Sequence, residues 1–366
     1  MLCSIFWWNL LIRYITWSCA VWHAPRSSSY IVGFAIDASS LGGPGVKTAV
    51  IAIGGNAILR SGEKPTQENQ LRNVAVTCKG LADLIERGYD IVITHGNGPQ
   101  VGDILLRNEL AKDEIPPMGM DIADAESQGQ IGYMLQQALS SEFVQRGMDK
   151  VAVSLITQVI VSEDDPAFKS PTKPIGKYYT APEARKLEKG KGWIMALDKK
   201  RGGWRRVVPS PDPIGIVESK PVKRLVFGGE HQAEVVIACG GGGIPVVLRD
   251  GRYVGVEAVV DKDLAAAMLA TSIKEKLFVI ATDVEHVFLD FGKITQRPFM
   301  KSKVSELKKL YESGQFPPGS MGPKILAAIR FLEGGGEEVV ICNTEKLVDA
   351  LEEGAGTHIY RDDMKA

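Results

Sequence analysis

The sequence predicts an α/β fold, a three-layer, doubly wound, mostly parallel sheet with an inserted protruding lobe. Three observations carry that reading. From Lys47 onward, short runs rich in Val and Ile alternate with stretches of helical spacing, as strands joined by crossover helices do. Several of those runs end in glycines, at the strand ends where open α/β sheets bind ligands. Between Ser162 and Val217 the alternation stops and the chain becomes rich in Pro, Gly and aromatic residues.

"TAVIAIGG" reads as the first strand, and "TQENQLRNVAVTCKGLADLIERG" as a helix with Leu71, Val74, Leu81, Leu84 and Ile85 on one face. "DIVITHGNGP" is the next strand. Helices follow in "QVGDILLRNELAK" and "ESQGQIGYMLQQALSSEFVQRG", then one strand in "KVAVSLITQVIV". The turn-rich stretch 162–217, with a helix in "APEARKLEKG", is expected to fold as a lid-like subdomain. Alternation resumes with "AEVVIACGGGG", "DKDLAAAMLATSI", "KLFVIATDV", "GPKILAAIRFLEGG", "EEVVICNTEKLVDAL" and "GTHIY".

Composition narrows the class. The 366 residues are 45% hydrophobic and 24% charged, enough to bury a large core. A net charge of -1 provides no basic field for nucleic acid or anionic membrane, so anionic ligands must be met by local lysines. Cys3, Cys19, Cys78, Cys239 and Cys342 are odd in number and contain no C-x-x-C; the reading is a reducing cytoplasm without a disulfide framework. Residues 1–46 differ in character, with Trp7, Trp8, Trp17 and Trp22 ahead of a Ser/Gly-rich run. We read them as an extension outside the domain 47–366, the mark of a start codon assigned too far upstream. An export or membrane segment is the alternative, but Arg13 interrupts the apolar run.

The strand-end glycines are the first candidate site. Gly54-Gly55-Asn56, Gly96-Asn97 and Gly240 to Gly243 each follow a strand, and glycine lets backbone N–H groups approach a phosphate. No Walker A loop, G-x-G-x-x-G, H-R-D or V-A-I-K motif occurs, and the "DFG" at Asp290 and "APE" at Ala181 stand in reversed order. Lysines in unusual settings remain. Lys173 lies between prolines in "PTKPIG", Lys262 between acids in "VVDKDLAAAM", and Lys324 in "PPGSMGPKILAAI" at a helix start, where the dipole favours an anion. Phosphoryl transfer needs several such fixed charges. Asp261 and Asp263 have three readings: pairing with lysines, holding Mg²⁺ through water, or capping a helix. Asp283, beside Thr282, suits a nucleotide contact or an N-cap. His95 is a general-base candidate against a packed histidine, and Arg201, Trp204 and Arg205 are expected to structure the lobe.

Taken together, "AIGGNA", "HGNGPQVG", "SQGQIGYM", "DPAFKSPTKPIG", "GWRRVVPSP", "GGGGIPV", "DKDLAA", "TDV" and "GSMGPK" resemble the carbamate kinases of the amino-acid kinase superfamily, from about Lys47 to the end. Many relatives carry a catalytic lysine on the first strand, at the place of Ala52 here; carbamate kinases resemble one another in supplying it from the inserted lobe, which maps to Lys173. The resemblance implies reversible phosphoryl transfer between ATP and carbamate, giving ADP and carbamoyl phosphate, in arginine or purine breakdown. It implies catalytic Lys173, Lys262 and Lys324 with Asp263 orienting them. Gly54, Gly55, Asn56, Gly96, Asn97, Gly242 and Gly243 would hold carbamate and phosphoryl through backbone and amide donors. Thr282, Asp283, Val284, Ser320, Met321 and Gly322 would lie near the nucleotide, with Mg²⁺ on its phosphates and no direct protein ligand. A cytoplasmic homodimer is implied, with "IGYMLQQAL" as interface or core. The alternatives are another amino-acid kinase acting on a different carboxylate or phosphonate, and a non-catalytic nucleotide-binding relative.

Overall fold

Alternate residues of the first strand face opposite ways, and that period of two builds the layers. In the structure, a computed structural model, residues 47–60, 62–198, 202–228, 234–317 and 320–365 are described. The N-terminal extension 1–46, Arg201 and Gly319 lie outside the described residues. Strand β1 (Lys47–Ile53) sends Ala49, Ile51 and Ile53 into one core and Val50 and Ala52 into another. Helices α1 (Gln67–Glu86) and α3 (Met120–Arg146) contribute to the first core. Helices α5 (Ser219–Phe227), α6 (Lys262–Ile273), α7 (Val304–Glu312) and α8 (Met321–Glu333) contribute to the second. A strand apolar on both faces needs both faces covered, which is why β1 reads as a continuous hydrophobic run.

The remaining strands of this sheet are β2 (Tyr89–His95), β3 (Val151–Ser154), β4 (Glu234–Ile237), β5 (Leu277–Thr282), β6 (Lys301–Lys303), β7 (Glu338–Asn343) and β8 (Thr357–Tyr360). Their order is β6-β8-β7-β5-β1-β2-β4-β3. Every neighbouring pair is parallel except β7 and β8. Ile51 stands between Ile93 and Val279. The predicted mostly parallel α/β sheet is therefore present.

One expectation changes. "KVAVSLITQVIV" is not one strand: β3 ends at Ser154, and Gln158–Val161 belongs to a second sheet with Ile244–Arg249, Arg252–Gly255 and Pro213–Ile216. Gln128 on α3 stands at the break. Its Oε1 accepts from the Thr157 backbone N–H at 2.8 Å and its Nε2 donates to the Thr157 carbonyl at 3.0 Å, while the same carbonyl accepts from the Ile244 N–H at 2.9 Å, so Thr157 is where the chain leaves the first sheet for the second. In "IGYMLQQAL", where both readings stood open, Ile131, Met134, Leu135 and Leu139 are buried core, while Tyr133, Gln136 and Gln137 face outward.

Within the stretch 162–217, the strands Lys173–Tyr179, Gly203–Val208 and Met195–Asp198 form a small antiparallel sheet with helix α4 (Ala181–Lys191). The helix starts on a capping box between Thr180 and Glu183 with Pro182 in its first turn, so "APE" is helix-start chemistry. This sheet meets helix α2 (Gly98–Ala111) where Gly176 lies against Gly102: a Cβ on Gly102 would sit 2.1 Å from the Gly176 Cα. Pro213–Ile216 pairs with Gln158–Val161 and ties that end of the stretch to the body. No helix among the described residues is long and apolar enough to cross a membrane.

Candidate active site

Strands β1, β2 and β4 lie side by side and run parallel, so their carboxyl ends share one edge. Each ends in glycine. Gly54 and Gly55 follow β1, Gly96 and Asn97 lead from β2 into α2, and Gly240 to Gly243 follow β4. Together with segments of the inserted stretch, α6 and α8 they enclose a cavity of about 780 Å³, within the size range of small-molecule and cofactor sites.

The cavity collects nearly all the residues singled out above. Gly54, Gly55, Asn56, Gly96, Asn97, Lys173, Lys262, Asp263, Lys324, Thr282, Asp283, Val284, Ser320 and Met321 line it. Three predicted residues do not. A Cβ on Gly242 would meet the Val260 carbonyl at 2.3 Å and one on Gly243 the Val159 side chain at 2.0 Å. Both are packing glycines with left-handed backbone, and Gly241 supplies the lining from that loop. Gly322 spends its N–H on the Pro317 carbonyl at 2.9 Å.

Three lysines from three segments converge on two aspartates. Asp263 accepts from Lys262 Nζ at 2.5 Å and from Lys324 Nζ at 2.9 Å. Asp261 accepts from Lys173 Nζ at 2.6 Å through Oδ2, while its Oδ1 caps α6 by accepting from the backbone of Asp263 and Leu264. Of the three readings of Asp261, capping and lysine pairing hold together. Burial works against ionising Asp263, yet Lys262 and then Lys324 hold its carboxyl below the usual range. Lys173 does the same for Asp261 against burial. Burial lowers Lys262 despite Asp263, with the Lys324 charge adding to the effect, whereas Asp263 raises Lys324 against its own burial. Three ammonium groups face these two carboxylates, with Asp283 also acting on Lys324, and fixed cations beside a floor of backbone donors can bind an anion.

His95 is not at hand for proton transfer. It is fully buried outside the cavity lining, its Nδ1 lies 3.1 Å from the Gly96 carbonyl, and burial pushes its pKa down to about 4. Asp283 caps no described helix; it accepts from Asn56 Nδ2 at 3.0 Å and from Thr282 Oγ1 at 3.2 Å. Asn97 changes role in one respect: Nδ2 donates to Asp124 Oδ1 at 3.0 Å and Ser127 Oγ at 2.8 Å. Its side-chain donors are spent inward. Arg205 does more than structure the inserted sheet, since it holds the Gly176 carbonyl at 2.9 Å and also lines the cavity. Sequence reasoning missed the aromatic wall of Phe288, Phe291 and Phe316. Phe291 is the middle of the reversed-order "DFG" and Phe316 directly precedes "PPGSMGPK", but nothing in their spacing marks the three as one wall.

A floor of bare backbone ringed by lysines at the carboxyl ends of a parallel sheet defines a phosphotransferase of the amino-acid kinase class, and the profile of the amino acid kinase family matches residues 47–343. A carbamate kinase of Pyrococcus furiosus is 51% identical over 315 residues, covering 86% of this chain and 99% of that protein. One from Clostridium perfringens is 44% identical, covering 85% and 99%. The solved structure of Giardia lamblia carbamate kinase bound to AMP-PNP aligns with a TM-score of 0.79 at 40% identity, covering 87% of this chain and 99% of that one. The chain belongs to the carbamate kinases of the amino acid kinase family.

Proposed function

We propose that the chain catalyses reversible transfer of the γ-phosphoryl group of ATP to carbamate, giving ADP and carbamoyl phosphate. One observation carries this reading: Lys173, Lys262 and Lys324 meet at a glycine-lined floor, held by Asp261 and Asp263, while His95 lies buried outside the lining. Carbamate is already anionic, so its oxygen attacks phosphorus without losing a proton. Alignment and charge compensation are the task. In this reading the backbone N–H groups of Gly54, Gly55 and Gly96 fix the acceptor and the transferred group, and the lysines neutralise charge on the phosphoryl oxygens as it shifts from the leaving to the attacking oxygen. Asp263 keeps Lys262 and Lys324 apart and aimed. Thr282, Asp283, Val284, Ser320 and Met321 line the nucleotide side. The resident carboxylates Asp261 and Asp263 are occupied by lysines, which suits Mg²⁺ carried by the nucleotide rather than by the chain. When bound, Mg²⁺ adds charge neutralisation on the phosphates.

The stretch around Lys173–Val208 is the natural lid, because it brings Lys173 to the site from outside the sheet. Slower hydrogen exchange there with nucleotide and acceptor bound supports closure; unchanged exchange rejects it. A homodimer is supported by the exposed apolar residues Leu110, Ile115, Met118 and Ile122, and a monomer mass in light scattering at micromolar concentration rejects it. A cytoplasmic setting is supported by the free, buried Cys78, Cys239 and Cys342. The decisive assay is ATP formation from carbamoyl phosphate and MgADP by the purified chain. Absence of turnover overturns the proposed function.

A further inference from the structure

The orientation of the Asn97 side chain is settled by a short chain of hydrogen bonds beneath the cavity floor. Ser127 Oγ–H donates to the Asp124 carbonyl at 2.7 Å, so the Ser127 oxygen is left as an acceptor. Asn97 Nδ2 supplies it with one hydrogen at 2.8 Å and gives the other to Asp124 Oδ1 at 3.0 Å. All three residues are buried, with Asp124 and Ser127 at 1% and 0% exposure. A flipped amide would set a carbonyl against the Ser127 lone pairs, because the Ser127 hydrogen is already given to the Asp124 carbonyl. Among the described residues Asn97 Oδ1 has no protein partner, and Asn97 lines the cavity beside Gly54, Gly55, Gly96 and Gly241. In a corner of backbone donors and ammonium groups, this oxygen is an acceptor left open to water or to a donor on the ligand.

We infer that Asn97 Oδ1 receives the N–H of the carbamoyl group and selects an amino-bearing acyl phosphate over its methyl isostere, and that Asp124 and Ser127 are the positioning residues that fix the amide for this purpose. The inference rests on the proposed function. Carbamate and acetate share a planar carboxylate of the same size and differ in that one carries N–H donors and the other a methyl group. Backbone donors and lysines recognise the carboxylate and phosphate of both alike. Only an acceptor separates them: an N–H satisfies Asn97 Oδ1, while a methyl group displaces water from it and leaves it unpaired. Burial pushes the Asp124 carboxyl well above the usual range, although the Asn97 bond opposes it. Asn is its neutral isostere and keeps an oxygen for Asn97.

The test is the ratio of kcat/KM for carbamoyl phosphate to that for acetyl phosphate, each with MgADP and ATP formation as the readout. In both reactions the phosphoryl group passes to the β-phosphate oxygen of ADP and the carboxylate leaves. The native chain should favour carbamoyl phosphate by about a hundredfold or more. In Asp124→Ala and Ser127→Ala the ratio should fall at least about tenfold, mainly through lost carbamoyl phosphate turnover. Asp124→Asn and Ser127→Thr should restore it. If acetyl phosphate gives no turnover, its inhibition constant against carbamoyl phosphate replaces its kcat/KM. A general loss of packing lowers both substrates together, and a ratio unchanged in folded Asp124→Ala and Ser127→Ala overturns the inference while leaving the proposed function standing. A native chain inactive on carbamoyl phosphate overturns both.

Discussion

Lys262 and Lys324 share one carboxylate, Asp263, which takes one ammonium on each oxygen at 2.5 and 2.9 Å. The two lysines come from the starts of α6 and α8, so a single aspartate ties the starts of two helices together. Losing one partner of a buried set costs more than the contact itself, because the other is left uncompensated.

Lys173→Ala and Lys324→Ala are each expected to lower kcat by about a hundredfold or more, as loss of one preorganised charge in a closed site does. Asp263→Asn should cost at least as much, since it releases both Lys262 and Lys324. Steady-state kinetics with carbamoyl phosphate and MgADP checks this; a variant within threefold of the native rate would contradict the roles given to these groups.

His95→Gln should retain most of its turnover, and its interest lies in stability. The folded chain keeps this ring neutral down to a pKa of about 4, whereas an unfolded histidine gains its proton near pH 6.5. Between those values the unfolded state binds a proton that the folded state refuses, so stability falls as pH drops through the window, by up to about 3 kcal/mol for this residue, with the loss complete below it. Urea midpoints of the native chain and His95→Gln should therefore differ in their slope between pH 7 and pH 4. Parallel slopes would rule the account out.

Gly102→Ala places a methyl group 2.1 Å from the Gly176 backbone. Alanine favours the helix itself, so α2 should persist while the strand that begins at Lys173 is pushed off it. Turnover is expected to fall about 10- to 100-fold, as small misplacements of a catalytic group do, with thermal unfolding of the main sheet little altered. Native kinetics in this variant would mean that the contact does not position Lys173.

A chain that starts at Val46 is expected to match the full chain in activity and to be at least as soluble, because residues 7–22 carry four tryptophans and exposed apolar clusters promote association. Loss of activity on truncation would make that segment part of the working protein.

Much of this was legible in the sequence because it depends on local pattern. The buried run Ala49–Ile53, the glycines that end it and the Asp261 cap before α6 all act within a few residues of their own position. What escaped depends on distant partners. Gln128 meets Thr157, at the break after Ser154, from 29 residues away. Gly242 and Gly243 share their tetrad with Gly241, and only the packing against Val260 and Val159 separates structural from lining positions. Asn97 was recognisable as a candidate, but the bonds that tie down its Nδ2 come from Asp124 and Ser127, 27 and 30 residues further along the chain.

The meeting of Gly102 and Gly176 has a mechanical meaning as well. Interdigitated side chains act as gear teeth, and parting them forces rotamers out of their wells. At this junction two bare peptide segments touch, but teeth flank it: Ile175 is buried with Val101 and Ile104 of α2, and Arg205 holds the Gly176 carbonyl. The close backbone approach is a notch that fixes the height of the strand carrying Lys173 above α2, and moving that strand means disengaging Ile175 first.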